Sequence, residues 1–232
     1  MPLSEIVEQH VTAVKEAINY LRYGYPHLPY AEQCRGSNFR WGSGQATRFI
    51  AQRTIEAIPA DQRSRVVVML PWRAGLAFVD AYKAWGVTRF IHVNSKRNEH
   101  TLATMVDFEC GSVGPDDIVV IADPALGTGN TFRDAIVRLL AKGVLPWNIW
   151  INAVVAANTG IDNILGAFPF TKILVGAIDP TLNAHGMIEP GLGDYGDKYF
   201  HGMTVQEKLA LAASLNLDFE SELRLIARLC SM

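Results

Sequence analysis

Asp123, Gly127, Thr128, Gly129 and Thr131 stand close together, directly after the apolar run Ile118 to Ala122. The full stretch reads Asp123-Pro124-Ala125-Leu126-Gly127-Thr128-Gly129-Asn130-Thr131, and helical periodicity begins there. An acid at the end of a buried strand, then small and hydroxylated residues feeding a helix, is chemistry suited to a sugar phosphate. Free N–H groups and the positive dipole end at a helix N-terminus favour an anion. Glycine lets the backbone approach that anion, the threonines donate hydroxyl hydrogen bonds, and Asp123 accepts from sugar hydroxyls. A Walker loop would need Gly-Lys-Ser/Thr, and no lysine is present. A dinucleotide fingerprint would need a third glycine where Phe132 stands. On this loop alone, a plain strand–turn–helix connection remains open.

Three further segments carry residues of the same chemical kind. They are Pro71-Trp72-Arg73-Ala74-Gly75-Leu76, Lys96-Arg97-Asn98-Glu99-His100-Thr101-Leu102, and Pro190-Gly191-Leu192-Gly193-Asp194-Tyr195-Gly196-Asp197. Arg73 and Arg97 are permanent cations able to bind two phosphate oxygens at once. Each of the first two segments follows a short apolar run. Loops that follow parallel strands gather at one sheet edge, so these segments can converge on the phosphate loop.

The elements that must position them are legible as alternating strand and helix. Arg65 to Leu70, Arg89 to Asn94, Ile118 to Ala122, Ile149 to Val155 and Lys172 to Ala177 read as strands, the first and third as buried ones covered on both faces. Helices are expected over Val7 to Leu21, Ala46 to Ile58, Gly75 to Trp85, Thr131 to Lys142 and Ile161 to Leu165. The fold class is therefore α/β, a doubly wound, mostly parallel sheet. Residues 204–232 form a helical extension after a domain spanning 1–203. Thr204 and Glu207 make a capping box, Asp218 caps a second helix, and Phe219, Leu223, Ile226 and Cys230 make its apolar stripe.

Bulk composition narrows the function classes. Of 232 residues, 49% are hydrophobic and 19% charged, a globular balance. A net charge of -2 gives no basic field for nucleic acid or an anionic membrane. No apolar run reaches the length of a membrane span, and the N-terminus lacks a signal-peptide pattern. Cys34, Cys110 and Cys230 are too widely spaced for a zinc site or disulfide framework. A cytoplasmic location is expected.

Taken together, the four motifs resemble the uracil phosphoribosyltransferase family, within the type I phosphoribosyltransferases. The chain follows the family's order and spacing over roughly residues 10 to 202. The resemblance implies that Leu126, Gly127, Thr128, Gly129, Asn130 and Thr131 hold the 5′-phosphate of phosphoribosyl pyrophosphate, with Asp123 on its ribose. It implies that Arg73, Ala74 and Gly75 form a pyrophosphate loop and that Arg97 is a second pyrophosphate contact. Ala125, Gly127, Met187, Ile188, Gly193, Asp194 and Tyr195 would contact the base, and Arg73, Arg97 and Asp194 would act in catalysis. Segment 103–116 matches the hairpin lid. Mg2+ would ride on substrate oxygens and water, near Asp194, and the protein would be a homodimer or higher homo-oligomer.

Trp72, Gly127, Met187, Glu189 and Lys198 depart from the family's usual residues, which bears on the base pocket. Uracil as acceptor, another heterocyclic base, and a non-catalytic sensor of phosphoribosyl pyrophosphate are the competing functions. Retention of Arg73 and Arg97 ranks the sensor last.

Overall fold

A computed structural model describes residues 12–23, 35–97, 104–215 and 217–230. Helix α1 (Thr12–Tyr23) lies against helix α2 (Gly36–Ala57). Val7 and Val11, expected in the first helix, and Gly24 and Pro26, expected to end it, fall outside the described residues. Helix α2 starts ten residues earlier than the Ala46 expected, because Gly42 packs where a side chain could not. A Cβ at Gly42 would stand 2.5 Å from the Tyr20 ring. Close helix contact thus offsets the poor helix propensity of glycine. Phe39, Ile50 and Ile55 on α2 are buried, each such burial stabilising by about 2 kcal/mol.

Strand β1 (Val66–Trp72) is buried at every position. A 3-10 turn (Ala74–Phe78) follows it and leads into helix α3 (Val79–Lys83), in place of the single helix expected. Then come β2 (Phe90–Arg97), β3 (Thr104–Cys110), β4 (Ile118–Ala122) and the short β5 (Ala125–Leu126). Helix α4 (Asn130–Ala141), β6 (Ile149–Ala157), helix α5 (Asn158–Ala167) and β7 (Lys172–Asp179) complete the layered core. A two-stranded ribbon, β8 (Thr181–Leu182) with β9 (Ile188–Glu189), precedes helix α6 (Tyr195–Phe200). The extension forms α7 (Val205–Ser214) and α8 (Phe219–Cys230).

The sheet runs β3-β2-β1-β4-β6-β7, and β5 pairs with β6 beyond the end of β4. All pairings in it are parallel except β2 with β3. From β1 the chain first adds strands on one side, then returns to add β4, β6 and β7 on the other. The switch point therefore lies between β1 and β4, where loops leave in opposite directions and open a crevice. One face packs under α1, α2, α3 and the extension, the other under α4 and α5. The β2–β3 hairpin stands at the place expected for 103–116, and residues 98–103 fall outside the described residues.

The stripe expected on α8 is displaced. Leu225 and Leu229 are buried with Ser221, whereas Leu223 is 50% exposed and Cys230 is exposed. Glu220, Arg224 and Arg228 keep one side of the helix polar, and within its broad apolar side the inward line runs along Leu225, Ile226 and Leu229. The capping box of Thr204 and Glu207 is present, and Asp218 accepts from Ser221 N–H at 2.9 Å.

Candidate active site

The phosphate loop is built by an interruption between two strands that share one partner. Asp123 N–H donates to Asn152 O at 3.1 Å, and the Pro124 carbonyl accepts from both Val154 and Val155. Ala125 and Leu126 then resume pairing with Val155 and Ala156. Gly129 takes φ +87° at the N-cap of α4, a left-handed conformation glycine adopts without strain. Helix α5 presses on the loop from behind. A Cβ at Gly160 would lie 2.3 Å from Gly127 O, and Asn163 Nδ2 donates to Thr128 O at 3.0 Å. Neither Gly160 nor Asn163 stands out in sequence, since nothing along the chain shows that α5 backs the loop.

This loop lines a cavity of about 140 Å³. Ala125 and Gly127 to Thr131 form one wall, and Met187, Ile188, Leu192 and Gly193 form another. The structure thus brings together most of the residues expected around the 5′-phosphate and the base. Leu126 is an exception, because its side chain is buried in the core beneath. A Cβ at Gly127 would face Gly186 O at 3.4 Å and Ile188 at 3.8 Å, ordinary contact distances, so this position could accept a methyl group.

The side chain of Tyr195, a residue expected to contact the base, turns into the core. Its ring is buried edge-on against Phe39, centroids 4.8 Å apart, and its hydroxyl donates to Ser43 Oγ. Burial raises its pKa. Neither Tyr195 nor Asp194 lines the 140 Å³ cavity. Asp194 caps α6 instead, its Oδ1 accepting from Asp197 N–H at 2.8 Å.

Arg73 follows the last residue of β1 at the switch point. Its neighbour Gly75 passes so close to β4 that a Cβ would stand 2.8 Å from Ala122 O. Ala74 sits between them as the first residue of the 3-10 turn. Arg73 Nη2 donates to Asp197 Oδ1 at 2.6 Å, which joins the β1 loop to the loop spanning 191–197. Arg73 opens on a second cleft beside the cavity, so the expected site is divided, with the 191–197 loop bordering both parts. Arg97 closes β2, its backbone paired with Thr104, and its side chain falls outside the described residues.

Asp123 carries the most informative electrostatics. Its carboxyl accepts from Ala125 N–H at 3.1 Å, yet burial pushes its pKa up to about 7. A carboxylate held in low dielectric with one backbone donor suits a ligand that supplies hydroxyl protons or a cation. Behind the β1 loop, Trp72 Nε1 donates to His92 Nδ1 at 3.1 Å, and burial beside Lys83 lowers His92 to about 4. Among the described residues no group of three or more His, Cys, Asp or Glu could hold a metal ion.

Asp179 is a site residue that sequence reasoning missed. At the end of β7, buried to 2% exposure, it accepts from Gly191 N–H at 2.9 Å and pairs with Arg22 of α1. An acid at a strand's carboxyl end was the available signal, as for Asp123. Lys198 Nζ donates to Leu192 O at 2.7 Å and steadies the same loop.

A mostly parallel α/β protein with a glycine-threonine loop, a buried acid and an arginine at its switch point belongs to the open-sheet α/β class, whose ligand crevice lies at the carboxyl ends of the strands. The sequence description of uracil phosphoribosyltransferase matches residues 37–202, and the chain belongs to that family. It is 37% identical to a uracil phosphoribosyltransferase of Pyrobaculum islandicum over 59% of this chain and 66% of that protein. It is 42% identical to uracil phosphoribosyltransferase 2 of Schizosaccharomyces pombe over 37% of this chain and 39% of that protein. These alignments span less than two thirds of the relatives' length. The solved structure of the AQ2163 protein from Aquifex aeolicus superposes with a TM-score of 0.70 at 26% identity, over 83% of this chain and 96% of that one. No helix among the described residues is long and apolar enough to cross a membrane.

Proposed function

We propose that this chain transfers ribose 5-phosphate from phosphoribosyl pyrophosphate to uracil, forming UMP and pyrophosphate. The observation that carries the reading is the meeting of the phosphate loop with Met187, Ile188 and Gly193 around one cavity, beside Arg73 at the switch point. In the reaction the C1–O bond to pyrophosphate breaks and a C1–N bond to the base forms. The proton of the base nitrogen leaves to the departing pyrophosphate or to water. Backbone N–H groups of Gly127 to Thr131 hold the 5′-phosphate, and Asp123 orients the ribose hydroxyls. Arg73 and Arg97 offset charge on the leaving group, the main electrostatic task. The protein's part is chiefly positioning.

The family uses a divalent metal in general, and we read it as Mg2+. Oxygen donors of the hard kind it prefers stand on the loops around the site, since Asp123 is a buried carboxyl at the end of β4 and Asp194 uses Oδ1 as a helix cap while Oδ2 has no partner among the described residues. Bound through donor oxygens and water, the ion would neutralise the leaving pyrophosphate.

A second reading keeps the reaction and changes the base. The missing side chain at Gly127, where one methyl group would fit, and Met187, 37% exposed at the mouth, favour a base that differs from uracil in shape. The test is nucleotide formation from phosphoribosyl pyrophosphate, Mg2+ and a panel of bases, separated by chromatography. UMP as the main product supports the first reading, and a different nucleotide supports the second. Donor binding without any product would leave only a sensor.

A further inference from the structure

The extension is not peripheral to the site. Ala212, Leu215, Leu225 and Leu229 join the same core as Val66, Val68 and Leu70 of β1. Lys83 Nζ donates to Ser214 O at 2.8 Å, and Cys110 Sγ lies 3.3 Å from Asp218 Oδ2 at the foot of the hairpin. This packing places Lys208 of α7 and Arg228 of α8 in the cleft that Arg73 opens on. That cleft has a volume of about 740 Å³ and also includes Asp197 and His201.

The one acid lining the cleft, Asp197, is already paired with Arg73, which leaves the Lys208 ammonium without a counter-charge there. Lys208 is only 9% exposed and makes no ion pair among the described residues. Burying an ammonium without an anion is costly, and a bound polyanion would offset that cost. The size of the cleft and its continuity with Arg73 suit condensed phosphate.

We propose that α7 and α8 complete the leaving-group end of the site, with Lys208 and Arg228 binding the diphosphate of the donor and the pyrophosphate released from it. The assignment of the diphosphate to the donor rests on the proposed transferase function. The extension thereby acts as a binding element for the substrate and not only as packing.

The test is calorimetric titration of inorganic pyrophosphate into the full chain, compared with Lys208→Gln and Lys208→Arg. Loss of about tenfold in affinity for Lys208→Gln, with recovery in Lys208→Arg and an undiminished melting temperature, is the expected result. The KM for donor should rise in parallel in Lys208→Gln, with the KM for base unchanged. Equal pyrophosphate affinity in all three proteins would overturn the proposal. Weaker binding of a nucleoside triphosphate with unchanged pyrophosphate affinity would also overturn it, by assigning the cleft to a separate nucleotide. Absence of nucleotide product with any base would defeat the transferase reading alone, because pyrophosphate affinity is read independently of turnover.

Discussion

Asp179 and Gly191 are joined by a hydrogen bond of 2.9 Å that ties the end of β7 to the loop beside the base cavity. The same carboxylate pairs with Arg22, 8% exposed, so α1 is fastened to this loop through one acid. Asp179→Ala would remove one charged partner of the buried Arg22 guanidinium and release Gly191. Breaking a buried pair on one side costs about 3–5 kcal/mol. Denaturant unfolding should show a loss of that order, and residual activity should show a raised KM for the base with a smaller change for the donor. An unchanged midpoint would remove Asp179 from this role.

Arg73→Ala should lower kcat/KM for nucleotide formation by about 10²–10³, the scale for losing one preorganised charge donor. Steady-state kinetics with saturating Mg2+ is the measurement. Wild-type turnover in this variant would falsify the leaving-group role.

Gly160→Ala should disturb the phosphate loop without touching any ligand. The added methyl would need to displace Gly127 O, 2.3 Å away, or push α5 off the sheet. Weaker donor binding is expected, together with a melting temperature lower by several degrees, as a loss of 1–2 kcal/mol implies. Gly127→Ala meets nothing nearer than 3.4 Å, so it should fold normally and report only on the size of acceptor base admitted.

Asp123 and His92 titrate against each other in stability. Asp123 has a folded pKa of about 7, above the carboxylate reference of 3.8, so its contribution is full below 3.8 and is lost as pH rises through 7. His92 has a folded pKa of about 4, below 6.5, so its contribution is present above 6.5 and is lost as pH falls through 4. The two slopes oppose each other between about pH 4 and 6.5. Asp123→Asn should therefore be more stable than the parent at pH 8, with the gap closing near pH 4, while its donor binding is lost. His92→Gln should lose the acid-side fall and gain stability toward pH 5 relative to pH 7. Thermal denaturation of the ligand-free proteins across this range distinguishes both from a uniform offset.

The parallel strands were legible because strands covered on both faces read as unbroken apolar runs, as in Val66 to Leu70 and Ile118 to Ala122. The turn from β4 into α4 was legible because its residues are contiguous. What escaped was assembled from distant segments. Gly160 and Asp179 act on residues 33 and 12 positions away, and no local pattern announces either contact. The glycines of α2 argued against a helix start at Gly36, and only packing against Tyr20 reverses that preference. On α8 the apolar side is broader than a single stripe, so the partner surface chose Leu225 and Leu229 over Leu223. Tyr195 was placed by motif position, which says which loop it joins but not which way its ring turns.

The chain between Ala122 and Asn130 is fastened to β6 on both sides of its single break, through Asn152, Val154, Val155 and Ala156. Only the short span from Gly127 to Gly129 is left to move. A ligand arriving there meets a mould that is already set, so little conformational entropy is lost on capture and the association needs no slow rearrangement of this wall. Amide protons of Asp123 and Val155 should accordingly exchange at the rate of the sheet itself, whether or not a phosphate is bound.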